Sequence, residues 1–141
     1  MAAPSVGELM TPEPVTISTK TSIAHAARLM RDHDVGDVVV VDGDGRPSGV
    51  LTDRDIVIRV VAEGQSAEET TVSAAASGAV STVEPSTSAD DAAQVMRDQA
   101  IRRLPVVDGG DVVGVVSIGD LAVHLDPESA LADVSASSPN R

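Results

Sequence analysis

A chain of 141 residues is long enough for one domain with a real core and short for two independent ones. Its composition, 42% hydrophobic and 23% charged, excludes wholesale disorder, and the complete absence of Phe, Trp and Tyr leaves Val, Ile, Leu, Met and Ala to build the core. A net charge of −12 repels phosphate backbones and anionic bilayers, so neither nucleic acid nor membrane is an expected partner; with no cysteine, disulfides and thiol chemistry are excluded.

The first predicted strand is Val15–Ser18, followed by a helix over Ser22–His33 in which Ile23, Ala26, Ala27 and Met30 recur at helical spacing. Two strands, Asp37–Val41 and Ser48–Leu51, flank the turn Asp42-Gly43, and their valine-rich character predicts burial on both faces. A last helix begins after Thr52. The stretch Ala62–Thr71 is polar, and residues 64–71 serve as the linker. The order then repeats: a strand at Ser81–Glu84, a helix at Ser88–Gln99, strands at Leu104–Val107 and Val112–Val116 around Gly109-Gly110, and a helix after Ser117. Residues 126–141 are rich in Ser, Ala and Asp without periodicity and are expected to be mobile. Met1–Gly7 lacks the features of a signal peptide, and no apolar run reaches the ~20 residues that cross a bilayer, so the cytoplasm is the expected compartment.

The two halves are copies of each other. Ala26-Ala27-Arg28-Leu29-Met30-Arg31-Asp32 matches Ala92-Ala93-Gln94-Val95-Met96-Arg97-Asp98, a shift of 66 positions. Val40-Val41-Asp42-Gly43 falls on Val106-Val107-Asp108-Gly109 at the same shift, and Val6 pairs with Val72. After one deletion in the hairpin, Gly49-Val50-Leu51-Thr52 falls on Gly114-Val115-Val116-Ser117. The expected architecture is therefore α/β (α+β): two β-α-β-β-α repeats, 6–63 and 72–125, packed as one module.

Chemistry concentrates at the start of the last helix of each copy, where Thr52 is followed by Asp55 and Ser117 by Asp120. A hydroxyl residue with a carboxylate three positions on is a capping box that closes orphan backbone donors and needs no ligand. The same geometry suits a nucleotide. Free N–H groups at a helix start attract phosphate, the hydroxyl adds a hydrogen bond, and a carboxylate one turn on accepts from a ribose diol. Both readings stand on these residues alone.

The paired copies, the phrase Arg103-Leu104-Pro105-Val106-Val107-Asp108, and Gly-x-x-[Ser/Thr]-x-x-Asp after the third strand resemble paired cystathionine-β-synthase (CBS) domains, the Bateman module. The resemblance spans about Val6 to Leu125, and the chain resembles the small stand-alone CBS-pair proteins of bacteria. It implies a pseudo-two-fold module with two inter-sheet clefts that hold AMP, ADP, ATP or an S-adenosylmethionine-type ligand. By this resemblance Asp55 and Asp120 take ribose hydroxyls, while Thr52 and Ser117 approach phosphates. Thr16-Ile17, Val38-Val39, Thr82-Val83 and Leu104-Pro105 line the base pockets, partly through backbone groups. Arg54 in the first copy and Arg103 in the second supply basic help, since Ile118-Gly119 replace Asp53-Arg54 and Arg102-Arg103 replace Gly36-Asp37. The resemblance further implies a homodimer acting on an unidentified protein target, with no cofactor required. The other reading of the residues is a ligand-free dimeric interaction module.

His25, His33 and His124 lack metal-ligand spacing, so no metal site is expected. Asp42-Gly43-Asp44-Gly45 hints at a calcium loop, but Pro47 stands where such a loop needs Gly, and a hairpin turn explains it better. No P-loop, nucleophile elbow or dinucleotide glycine pattern is present, and catalysis is not expected.

Overall fold

The two long helices begin where a serine hydroxyl can close them. Ser22 Oγ accepts from the N–H of His25 at 3.1 Å, and Ser88 Oγ accepts from that of Asp91 at 3.1 Å. Around these helices, the computed structural model describes residues 4–76 and 81–125, so the tail expected to be mobile lies outside the described residues. In chain order the elements are α1 (Val6–Leu9), β1 (Thr11–Pro12), β2 (Thr16–Ser18), α2 (Ile23–His33), β3 (Asp37–Val41), β4 (Pro47–Thr52) and α3 (Asp53–Ile56). A π-helical turn, Val57–Val61, extends α3, and α4 (Val72–Ala75), α5 (Ala89–Gln99), β5 (Arg103–Asp108), β6 (Asp111–Ser117) and α6 (Ile118–Leu125) follow.

The chain divides into two compact units: residues 15–76, and residues 4–14 together with 81–125. In the first, β2 runs parallel to β3 and β3 antiparallel to β4, in the order β2-β3-β4. The hydrophobic faces of α2 and this sheet enclose Ile17, Ile23, Ala26, Met30, Val38, Val40 and Leu51. Ala27, grouped with that face by its spacing, is exposed instead, and Leu29 is half-buried against the core. Val39 is only 1% exposed although it alternates to the face opposite Val38 and Val40, so β3 is buried on both faces. In the second unit the order is β1-β6-β5, both pairings antiparallel, around a core that includes Val83, Met96, Leu104, Val106, Val116 and Leu121.

These units cut across the sequence repeats. The valine of α1, Val6, is fully buried in the core of the second unit, while its equivalent in α4, Val72, is fully buried in the core of the first. The same hydrogen bonds seat both turns. Val6 N donates to Thr87 O at 2.7 Å and Gly7 N to Pro85 O at 2.9 Å; Val72 N donates to Thr21 O at 2.8 Å and Ser73 N to Thr19 O at 3.2 Å. Each copy thus contributes one helical turn to the core of the other. A further consequence is β1, which adds a short strand to the edge of β6 with Pro12 opposite Gly114. A side chain at 114 would press on the Thr11 carbonyl, its Cβ only 2.8 Å away.

The strand expected at Ser81–Glu84 is reduced to an isolated bridge between Val83 and Val106. The cause is a pair of prolines, one on the neighbouring strand and one directly after the segment itself. In the first unit Val39 N donates to Val15 O at 3.0 Å, which extends the pairing along β2. At the equivalent place the second unit has Pro105, which has no N–H to give, and where Thr19 N donates to Val41 O at 3.2 Å the second unit has Pro85, which has none either. The turn Asp42–Arg46 is closed internally, with Asp42 Oδ1 accepting from Asp44 N at 2.9 Å and Arg46 N at 3.0 Å, the hairpin expected there. On the surface of α2, the hydrogen bond from Arg31 Nε to Asp32 Oδ1, 2.8 Å long, holds the Asp32 carboxyl below the usual carboxylate range.

Candidate functional site

Both hydroxyl–carboxylate pairs form reciprocal capping boxes. In the first unit Asp55 N donates to Thr52 Oγ1 at 3.0 Å, and Thr52 N donates to Asp55 Oδ2 at 2.9 Å. In the second, Asp120 N donates to Ser117 Oγ at 3.1 Å, and Ser117 N donates to Asp120 Oδ2 at 2.9 Å. The strand that precedes each box is anchored in the same way, through Asp53 N to Gly36 O at 2.9 Å and Ile118 N to Arg102 O at 2.8 Å. Four residues in each copy therefore hold one rigid strand-to-helix corner.

The boxes leave chemistry to spare. A hydroxyl that accepts one hydrogen bond still has its own proton to donate, and a carboxylate with one oxygen engaged can accept at the other. Thr52 and Ser117 retain a donor beside the first N–H groups of a helix, and Asp55 and Asp120 retain Oδ1. All four residues are half-buried, so these groups are held in place and remain reachable.

The structure sorts the other expected lining residues by face. Ile17, Val38, Val83 and Leu104 send their side chains into the two hydrophobic cores, which leaves their backbone groups as the parts able to meet a ligand. Thr16 lies opposite Val39 in the β2–β3 register, and Thr52 lies opposite Asp37 on the other side of β3. Thr16, Val39, Thr52 and Asp55 are thereby gathered around one end of one sheet. In the second unit Val83 N donates to Pro105 O at 3.1 Å, setting Thr82 beside Pro105, and Arg103 lies opposite Ser117. Arg54 is exposed on the first turn of α3. Thr16 and Thr82 are exposed, whereas Val39 and Pro105 are buried.

Two surface features lay beyond the sequence reading. Val57, Ile58 and Val61 are 55%, 46% and 65% exposed on the turn that extends α3, and Ile118 and Val123 are 43% and 40% exposed on α6. A groove of about 430 Å³ lies between α5 and α6, within the second unit. The run Ile56 to Val61 carries only one charged residue, Arg59, a signal of an uncovered apolar helix face that could have been read.

Comparison with known proteins agrees with the two copies. The CBS-domain model matches residues 6–62 and 68–127, and the chain belongs to the CBS-domain family. It is similar to the CBS domain-containing protein YhcV of Bacillus subtilis, 43% identical over 127 residues that cover 89% of each chain. Among solved structures it is similar to Hypoxic Response Protein I with two coordinated zinc ions, at 31% identity and a TM-score of 0.76, covering 86% of this chain and 98% of that one. It is also similar to the CBS domain pair of protein MJ0100 in complex with 5′-methylthioadenosine and S-adenosyl-L-methionine. There the identity is 25% and the TM-score 0.78, covering 91% of this chain and all (100%) of that one. No group of three or more His, Cys, Asp or Glu suited to a metal ion occurs among the described residues of this chain. None of its described helices is long and apolar enough to cross a membrane.

Proposed function

We propose that this chain is a regulatory, non-catalytic CBS pair that senses an adenosyl ligand of the AMP, ADP, ATP or S-adenosylmethionine type. It acts on a partner protein, as a homodimer in the cytoplasm. The observation that carries the reading is the hydroxyl–carboxylate corner built identically in both copies, with the Asp Oδ1 and the Ser or Thr proton left over after the cap is made. The ligands held by the CBS pair of MJ0100 support the adenosyl class. Arg54 and Arg103 stand on the strand or helix beside each corner, where they add positive charge for a phosphate. A ligand that binds one conformation or assembly more tightly than another shifts the balance between them, and that shift is the signal. The homodimer rests on the uncovered apolar side chains of the last helix in each copy, which a second chain would remove from water.

Isothermal titration with AMP, ADP, ATP and S-adenosylmethionine tests the reading, with Asp55→Ala and Asp120→Ala beside the native chain. Loss of a ribose-binding carboxylate is expected to weaken binding at its own corner by about tenfold or more, because a charge-assisted hydrogen bond is lost. The heat should divide between the two variants if both corners bind. Folded protein that gives no heat with any of the four ligands would defeat the sensor.

A second reading has its own support. The capping boxes are complete without a ligand, and the exposed residues Val57, Ile58, Val61, Ile118 and Val123 need a cover. A ligand-free dimeric interaction module satisfies both facts. It predicts a stable dimer by light scattering together with silent titrations, and a monomer at micromolar concentration would count against it.

A further inference from the structure

We propose that the two corners take adenosyl ligands of different charge. The corner of the second copy takes a phosphate-bearing anion of the AMP type, and that of the first takes a phosphate-free ligand with a positive sulfonium, of the S-adenosylmethionine type. The proposal rests on the sensor reading above and assigns a ligand class to each corner.

The corners share one frame and differ in what fills it. Across the sheet from the capping hydroxyl stands Asp37 opposite Thr52 in the first copy, and Arg103 opposite Ser117 in the second. One residue earlier, where a carbonyl anchors the first helical turn, the first copy has Gly36 and the second Arg102. The helix itself opens on Asp53 and Arg54 in the first copy and on Ile118 and Gly119 in the second. Besides the capping aspartate, two carboxylates and one guanidinium thus frame the first corner, and two guanidiniums with no carboxylate frame the second. A phosphate is attracted to the second, where guanidinium groups can grip its oxygens, and is repelled at the first, where Arg54 is outnumbered.

The backbone donors differ in the same sense. In the first corner every N–H of the opening turn already has an acceptor: Asp53 N donates to Gly36 O at 2.9 Å, Arg54 N to Asp53 Oδ1 at 2.8 Å and Asp55 N to Thr52 Oγ1 at 3.0 Å. The Asp53 carboxylate therefore holds the place that a phosphate oxygen would need. In the second corner Ile118 N donates to Arg102 O at 2.8 Å and Asp120 N to Ser117 Oγ at 3.1 Å, while Gly119 N meets no acceptor among the described residues. Ile118 has no carboxylate with which to answer that donor, and Gly119 has no side chain to crowd it. The donor and the two arginines are thus gathered at the same corner. The first corner offers carboxylates instead, which favour a sulfonium cation. The sugar is met alike at both, because Asp55 and Asp120 are held in the same way.

Isothermal titration with AMP and S-adenosylmethionine separates the corners. AMP affinity is expected to fall about tenfold or more in Asp120→Ala and to hold within about twofold in Asp55→Ala, with S-adenosylmethionine showing the reverse. Ile118→Asp places the carboxylate of the first copy beside Gly119 N. Ile118 is 43% exposed and an acidic residue suits the first turn of a helix, so this variant is expected to fold, which a thermal melt checks. It should weaken AMP by about tenfold, and Arg102→Gln, which keeps the backbone bond from Ile118, by about threefold or more. Asp53→Ile should weaken S-adenosylmethionine by about threefold or more. An AMP affinity indifferent to both Ile118→Asp and Arg102→Gln would overturn the assignment and leave the sensor standing. So would AMP lost as fully in Asp55→Ala as in Asp120→Ala, or heat from only one of the two ligands. A folded native chain that binds neither would overturn the sensor reading itself, and the assignment with it.

Discussion

Asp34 and Ala100 occupy the same place in the two copies, just past the end of the long helix, and both adopt left-handed backbone, with φ of 54° and 55°. The conformation lets the next amide turn back, so that Val35 N donates to Met30 O at 3.0 Å and Ile101 N to Met96 O at 3.0 Å. An aspartate tolerates this region better than an alanine does, and glycine tolerates it best. Ala100→Gly is therefore expected to stabilise the fold by about 0.5–1 kcal/mol, seen as a rise in the midpoint of urea unfolding. The reverse expectation, loss of stability, would follow only if the left-handed cap were absent in solution. The capping boxes were legible in the sequence because all their chemistry lies within four residues, and Thr52, Asp55, Ser117 and Asp120 carry it in their own side chains. The residues expected to line a ligand cleft were legible only as positions. Ile17 and Thr16 look equally available in a one-dimensional reading, and only the sheet decides that the first faces the core and the second does not.

At the scale of elements, pairing between strands depends on donors held by the neighbour. Val39 supplies one to Val15, and Pro105 cannot supply the equivalent. Val39→Pro should strip the Thr16 end of β2 while the bond from Thr19 N to Val41 O keeps the rest, at a cost of about 1–3 kcal/mol. Amide exchange at Ile17 reads the result; unchanged protection there would show that the bond from Val39 does not hold this end of β2. This dependence explains why the strand at 81–84 was expected and is not formed. Nothing within those four residues forbids a strand. The long helices and valine-rich strands were legible because their periods repeat over eleven and five or more residues. Four-residue turns such as α1 and α4 are too short to show a period, and they are held by packing and hydrogen bonds to distant segments.

For the whole molecule, the absence of aromatic side chains sets the terms of folding. Each core is assembled from small aliphatic groups, and each is closed by a valine, Val6 or Val72, that belongs in sequence to the other copy. If the chain were cut after Gly64, residues 1–64 would keep α1 and lose α4, and residues 65–141 would do the opposite. Neither piece alone should melt cooperatively, whereas the two mixed should regain helical circular dichroism and elute together. Independent, sharp melting of either piece would show that its closing turn is dispensable. A gene for a single copy would face the same difficulty as a lone piece: its product would be complete only when two molecules met, at a rate set by how many were in the cell. Joining two such genes head to tail removes that dependence, because a short tether holds the halves at an effective concentration on the order of millimolar however scarce the protein becomes.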